Sequence, residues 1–144
     1  MSKHPKQVEG DYYGKGYDTW ALALDTRMPF SQACIIKYIQ RYPHKGCAVK
    51  DLDKALTYID GLASHRLPEE GVLPEFRTDE YIAWLTQCVE RFIDAGAYSG
   101  PEATAIRMAA QLHLYPVPPS MQVAAIREAI KGMKADWLAG HPEG

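Results

Sequence analysis

The sequence predicts an all-α fold, a single compact helical domain of about six helices behind an irregular N-terminal arm. Three observations lead there. Apolar residues recur at steps of three and four over most of the chain. No run alternates apolar and polar residues as a half-buried strand would. Glycines, prolines and capping residues cut the chain into helix-length pieces.

Residues 1–16 are polar, aromatic and glycine-rich, and read as an arm that docks in part through Tyr12, Tyr13 and Tyr17. A short helix is expected over 18–27, with Trp20, Leu22 and Leu24 supplying apolar surface and Pro29 ending the segment. The second helix spans 30–42 with Ser31 as its N-cap. Its apolar stripe is Ile35, Ile36, Tyr38, Ile39 and Tyr42, while Lys37 and Arg41, at i and i+4, share another face. Pro43, Lys45 and Gly46 make a short turn, which favours an antiparallel hairpin with a third helix over 48–65. That helix buries Leu52, Ala55, Ile59 and Leu62 and groups Asp51, Lys54 and Tyr58 on a neighbouring face. Pro68, Gly71 and Pro74 mark 66–77 as a linker or ordered loop.

A fourth helix is expected to start at the Thr78 cap, with Asp79 and Glu80 in its first turn, and to stop at Gly96. Its apolar stripe is Ile82, Leu85, Val89, Phe92 and Ile93. Ser99 caps a fifth helix that runs to about Leu114 and buries Ala105, Met108, Ala109 and Leu112. Pro116, Pro118 and Pro119 separate it from a last helix over 120–138, with a frayed tail from Gly140. The chain therefore reads as a region 1–65, a connection 66–77 and a helical region 78–144 suited to self-association.

Hydrophobic residues make up 47% and charged residues 24% of the 144, which suits a globular chain. The formal net charge of −2 gives no strong nucleic-acid signal, since phosphate-bound proteins carry a basic excess. Cys34, Cys47 and Cys88 are odd in number and widely spaced, so reduced thiols are expected rather than a disulfide framework or a Cys-based zinc site. The N-terminus lacks the apolar run of a signal peptide, and no stretch approaches the roughly 20 apolar residues of a membrane span. The expected location is cytoplasmic.

Gly10 to Gly16 superficially resembles a phosphate-binding loop but fails on three counts: the glycines are one residue too close, Gly16 follows Lys15 where Ser or Thr is needed, and no apolar strand precedes it. The five histidines have no ligand spacing, and acidic pairs such as Asp51/Asp53 and Glu69/Glu70 are adjacent or alternate, without the i, i+3/i+4 pairing that holds metals in bundles. No metal site is expected. The chemical candidate is the run Lys37, Arg41 and Lys45 with His44 among them. Arginine offers a planar fork for phosphate oxygens and lysine a mobile point charge. Tyr38, Tyr42 and Tyr58 could add base stacking. The same residues also fit a solvated basic face paired with Asp51 and Asp53.

The segment Lys37-Tyr38-Ile39-Gln40-Arg41-Tyr42-Pro43-His44-Lys45, followed by Asp51-Leu52-Asp53-Lys54-Ala55-Leu56-Thr57-Tyr58, adds a further indication. Together with His4-Pro5, Tyr13, Gly14, Gly16 and Asp18, it resembles a family of small phage proteins labelled nucleotide kinases. One type in that family is a deoxynucleoside-monophosphate kinase without a Walker motif. The resemblance covers residues 4–62. It implies a phage origin, a host-cytoplasm location, a homo-oligomer and a nucleotide or nucleotide-derived ligand. Lys37, Arg41 and Lys45 would hold phosphates, with Tyr13, Tyr38, His44, Lys54 and Tyr58 around them. If the chain is a kinase, ATP and magnesium are implied, and Asp18 or Asp51 would place the metal or the acceptor. Three readings stay open: phosphoryl transfer, sequestration of a nucleotide immune signal without turnover, and inhibition of a host protein through the C-terminal helices.

Overall fold

The structure is a computed structural model that describes residues 16–64, 73–115 and 118–142. Among these residues it contains six α-helices and no strand: α1 (Thr19–Thr26), α2 (Phe30–Arg41), α3 (Ala48–Ser64), α4 (Asp79–Gly96), α5 (Gly100–Ala109) and α6 (Ser120–Gly140). Two 3-10 turns, Pro74–Arg77 and Leu112–Leu114, precede α4 and follow α5. Tyr13 and most of the expected arm lie outside the described residues. None of the described helices is long and apolar enough to cross a membrane.

The helices share one core. Ile35, Ile36 and Ile39 of α2 and Leu52, Ala55 and Ile59 of α3 face one another in an antiparallel hairpin. α5 and α6 form a second hairpin that packs on the first, α6 inserting Val123, Ile126, Ile130 and Met133. α4 contributes Leu85, Val89 and Phe92 and packs along α1. Two ion pairs, Lys134 to Asp53 at 2.7 Å and Arg127 to Asp60, tie α6 to the outer face of α3. Asp53 is thereby engaged by α6 rather than by the basic face of α2. Exposed pairs of this kind each contribute about 1 kcal/mol or less.

Several helix ends differ from expectation for identifiable reasons. Pro29 caps α2: its carbonyl accepts from Ala33 N at 3.1 Å, so Ser31 lies inside the first turn and caps nothing. The Thr78 hydroxyl accepts from Tyr81 N as expected, whereas Ser99 occupies the cap position of α5 without a side-chain bond. Trp20 and Leu24 of α1 are exposed, as is Ile82 of α4, while Leu22 is buried. α6 continues two residues past 138, to Gly140.

α5 stops at Ala109 instead of reaching Leu114. The buried Gln32 side chain crosses from α2 and donates to the Ala109 carbonyl at 2.8 Å. Gln111 N then turns to Met108 O, an i to i+3 bond that tightens the chain and directs His113 inward. His113 Nδ1 lies 2.9 Å from Gln32 Nε2 and its Nε2 lies 2.7 Å from Tyr81 Oη, which donates to the Thr26 carbonyl at 2.7 Å. The network assigns the tautomer: Gln32 Nε2 can only donate, so Nδ1 accepts and Nε2–H of His113 donates to Tyr81.

The end of α4 is a Schellman motif displaced by one residue from the glycine that suggested it. Tyr98 N bonds Ile93 O at 3.0 Å, and the left-handed residue is Ala97 (φ 55°), not Gly96. Gly96 is required for a different reason: Tyr98 stacks on Phe92 at 5.4 Å, and a Cβ on residue 96 would collide with the Tyr98 ring. Ala97→Gly is therefore expected to stabilise the fold by about 0.5–1 kcal/mol, the left-handed strain removed less the entropy glycine adds to the unfolded chain. Gly96→Ala is expected to destabilise it. Urea unfolding midpoints of the two variants check this pair.

Candidate functional site

α1 and α2 are joined by the turn 27–29, with Arg27 left-handed (φ 57°). Their far ends are pinned where Thr19 N and Oγ1 both donate to the buried Gln40 Oε1, at 3.1 and 2.7 Å. The two helices thus run antiparallel, and a groove of about 700 Å³ lies along their outward faces. Leu24, Phe30 and Ala33 form its apolar end, and Lys37, Arg41 and Asp18 its polar end. Trp20, 43% exposed, stands on the α1 wall. On α2 the wall residues Phe30, Cys34, Lys37 and Arg41 follow one face of the helix. Seven residues separate Phe30 from Lys37, about 10 Å along the axis.

Four of the sequence-predicted residues converge on the ring of a fifth, Tyr38. Lys37 Nζ lies 4.8 Å from its centroid, the Arg41 guanidinium 5.6 Å and Lys54 Nζ 5.7 Å. Tyr58 stacks on the same ring at 6.1 Å. The negative face of an aromatic ring holds cations that would otherwise repel one another. The neighbouring Cys34 thiol is the chief influence that pushes the Tyr58 hydroxyl above its ordinary range.

Asp51 is fully buried on α3, and its Oδ2 accepts from Arg41 Nε at 3.2 Å and from Cys47 Sγ at 3.7 Å. Its Oδ1 has no hydrogen-bond partner among the described residues. Asp51 is therefore a counter-ion that holds the Arg41 side chain, and any ligand phosphate would share Arg41 with it. Asp18 caps α1, its Oδ1 accepting from Ala21 N at 3.0 Å. Both carboxylates serve the fold, and they do not fit a magnesium site. Among the described residues no three His, Cys, Asp or Glu side chains are grouped as metal ligands.

His44 is placed elsewhere. It borders a separate cleft of about 460 Å³ with Tyr42, Gly96 and Tyr98. Lys45 lies in the α2–α3 turn and does not wall the α1–α2 groove. Tyr13 falls outside the described residues. Conversely, Trp20, Phe30 and Cys34 line the groove without having been singled out. The spacing 30, 34, 37, 41 was available in the sequence and puts Phe30 on the same helix face as the two cations.

A family described as a protein of unknown function, DUF3310, matches residues 19–60, less than a third of the 144. The matched segment begins at the first residue of α1 and ends near the end of α3, so it spans both walls of the groove and the partners of Tyr38. No curated protein and no solved structure matches the chain.

Proposed function

We propose that the α1–α2 groove binds a nucleotide or nucleotide-derived ligand, with its base towards Leu24 and Phe30 and its phosphates towards Lys37 and Arg41. The observation that carries this reading is the polarity of one groove, in which exposed aromatic surface and clustered cations lie about 10 Å apart on the same helix face. Aromatic rings stack any base, and fixed cations hold phosphate. The resemblance of the α2–α3 segment to phage nucleotide kinases supports the same ligand class, and brings with it a phage origin, the host cytoplasm and a homo-oligomer.

Binding without turnover is the form of this reading that the side chains favour. Phosphoryl transfer needs a metal and an oriented acceptor, and the two carboxylates suggested for that work are a helix cap and a buried counter-ion. Sequestration of a nucleotide signal, such as one used in host defence, asks only for the groove. Incubation with ATP, magnesium and a deoxynucleoside monophosphate is expected to give no diphosphate product. Appearance of diphosphate would restore the kinase reading.

Lys37 is the residue whose removal tests the site cleanly. It is half-buried on the groove wall and forms no ion pair among the described residues. Lys37→Ala is expected to weaken nucleotide binding by roughly tenfold or more, the range for a hydrogen bond to a charged group, and to leave the unfolding midpoint within error of wild type. Titration calorimetry with ADP, beside a denaturation curve, measures both. Undiminished binding in Lys37→Ala would place the ligand elsewhere.

A further inference from the structure

We infer that the ligand carries two bases and that Phe30 is the wedge between them, an inference that rests on the reading of the α1–α2 groove as a nucleotide site. Phe30 is 73% exposed, at the first position of α2, and adds almost nothing to the core. It walls the groove on one side and a second cavity, of about 580 Å³, on the other. Each volume lies within the roughly 300–1,000 Å³ of small-molecule sites.

The two compartments differ in charge. Lys37 and Arg41 line the first, whereas among the described residues no lysine or arginine lines the second. The second is walled instead by Tyr58, Leu62, Leu112 and Tyr115, with Gln32, Thr57 and the neutral His113 among its polar groups. Such a compartment suits an uncharged aromatic group with a few hydrogen-bonding atoms and does not suit a phosphate. Tyr58 links the two, since it meets the Phe30 ring edge-on at 6.3 Å and stacks on Tyr38 beneath the cations. Proteins that hold short single strands place an aromatic ring between successive bases in this way. A dinucleotide would set its phosphates by Lys37 and Arg41, one base on the groove side of Phe30, and the second base in the apolar cavity.

Gly61 allows a test that spares the fold. It lines the second cavity within α3, and a Cβ built there meets no atom within 4 Å. Gly61→Leu therefore fills the cavity while improving helix propensity. ADP and the dinucleotide pApA, matched for phosphate number, are titrated into both proteins. In wild type pApA is expected to bind at least about tenfold more tightly than ADP, the increment of one stacked base. Gly61→Leu should abolish that advantage and leave ADP binding unchanged. Equal affinities for the two probes in wild type, or an advantage that survives in Gly61→Leu, would overturn the two-base inference alone. Failure of both probes to bind would overturn the nucleotide reading itself, and this inference with it.

Discussion

Arg41→Ala is expected to cost about 3–5 kcal/mol of folding stability, the range for stranding one member of a buried ion pair. Asp51 is fully buried, and its only charged partner among the described residues is Arg41, whose Nε lies 3.2 Å away. The arginine side chain is 23% exposed, so water offsets little of the loss. Without it the carboxylate is left with a weak thiol donor from Cys47. For a domain of this size several kcal/mol is a large share of the total. Urea unfolding of Arg41→Ala, Asp51→Leu and the double variant Arg41→Met/Asp51→Leu separates the pair from its members. The double variant should recover most of what Arg41→Ala loses, because it removes the buried charge together with its partner. A wild-type midpoint for Arg41→Ala would show that Asp51 does not depend on this arginine. The prediction also bears on the groove, since lost ligand binding in Arg41→Ala reports on the site only if the variant is folded.

The fold was largely legible because its helices are amphipathic and their ends carry local signals. The stripes in α2, α3 and α4 identified most of the apolar residues that those three helices bury, and Thr78 capped α4 through the hydroxyl bond its position suggested. What periodicity could not supply was anything decided by a distant partner. α5 ends where Gln32, 77 residues earlier, takes the Ala109 carbonyl. Gly96 marks the end of α4, yet its reason lies in the Tyr98 ring and the left-handed position falls to Ala97.

The candidate site was legible in half. Lys37, Tyr38, Arg41, Lys54 and Tyr58 gather as their helix spacing implied, because the α2–α3 hairpin turns both faces to one side. The resemblance suggested Asp18 and Asp51 for placing a metal or an acceptor, and in the structure Asp18 caps α1 while Asp51 is the buried counter-ion of Arg41. His44 follows Arg41 by three residues, but it lies beyond the end of α2 and faces a different cleft. The apolar half of the groove was missed because Trp20 and Leu24 read, with Leu22, only as the apolar surface of a short helix. An apolar residue on a short helix does not disclose whether a neighbour covers it, and here Leu24 is left 57% exposed.

His113 is expected to make the protein acid-labile by about 3 kcal/mol between pH 6.5 and pH 4. Burial lowers its pKa from the ordinary 6.5 to about 4. Above pH 6.5 the ring is neutral in both the folded and the unfolded chain, so its contribution does not vary with pH. Below that value the unfolded chain takes up a proton that the folded chain refuses, and stability falls by about 1.4 kcal/mol per pH unit until the folded-state pKa is reached. The geometry explains the refusal. A proton on Nδ1 would point at the amide nitrogen of Gln32, 2.9 Å away, which is itself a donor. Phe76 meets the ring edge-on at 4.8 Å and Tyr81 covers its other nitrogen, so neither contact accepts a proton from Nδ1. His113→Gln keeps one acceptor for Gln32 and one donor for Tyr81 but does not titrate. Carboxylates such as Glu90, held below its usual range by the Arg107 hydrogen bond, also lose their pairing in acid, and they do so equally in both proteins. The measurement is the difference in unfolding free energy between wild type and His113→Gln across this window. Wild type should lose about 3 kcal/mol more than the variant, and parallel curves would mean that the ring accepts its proton in place.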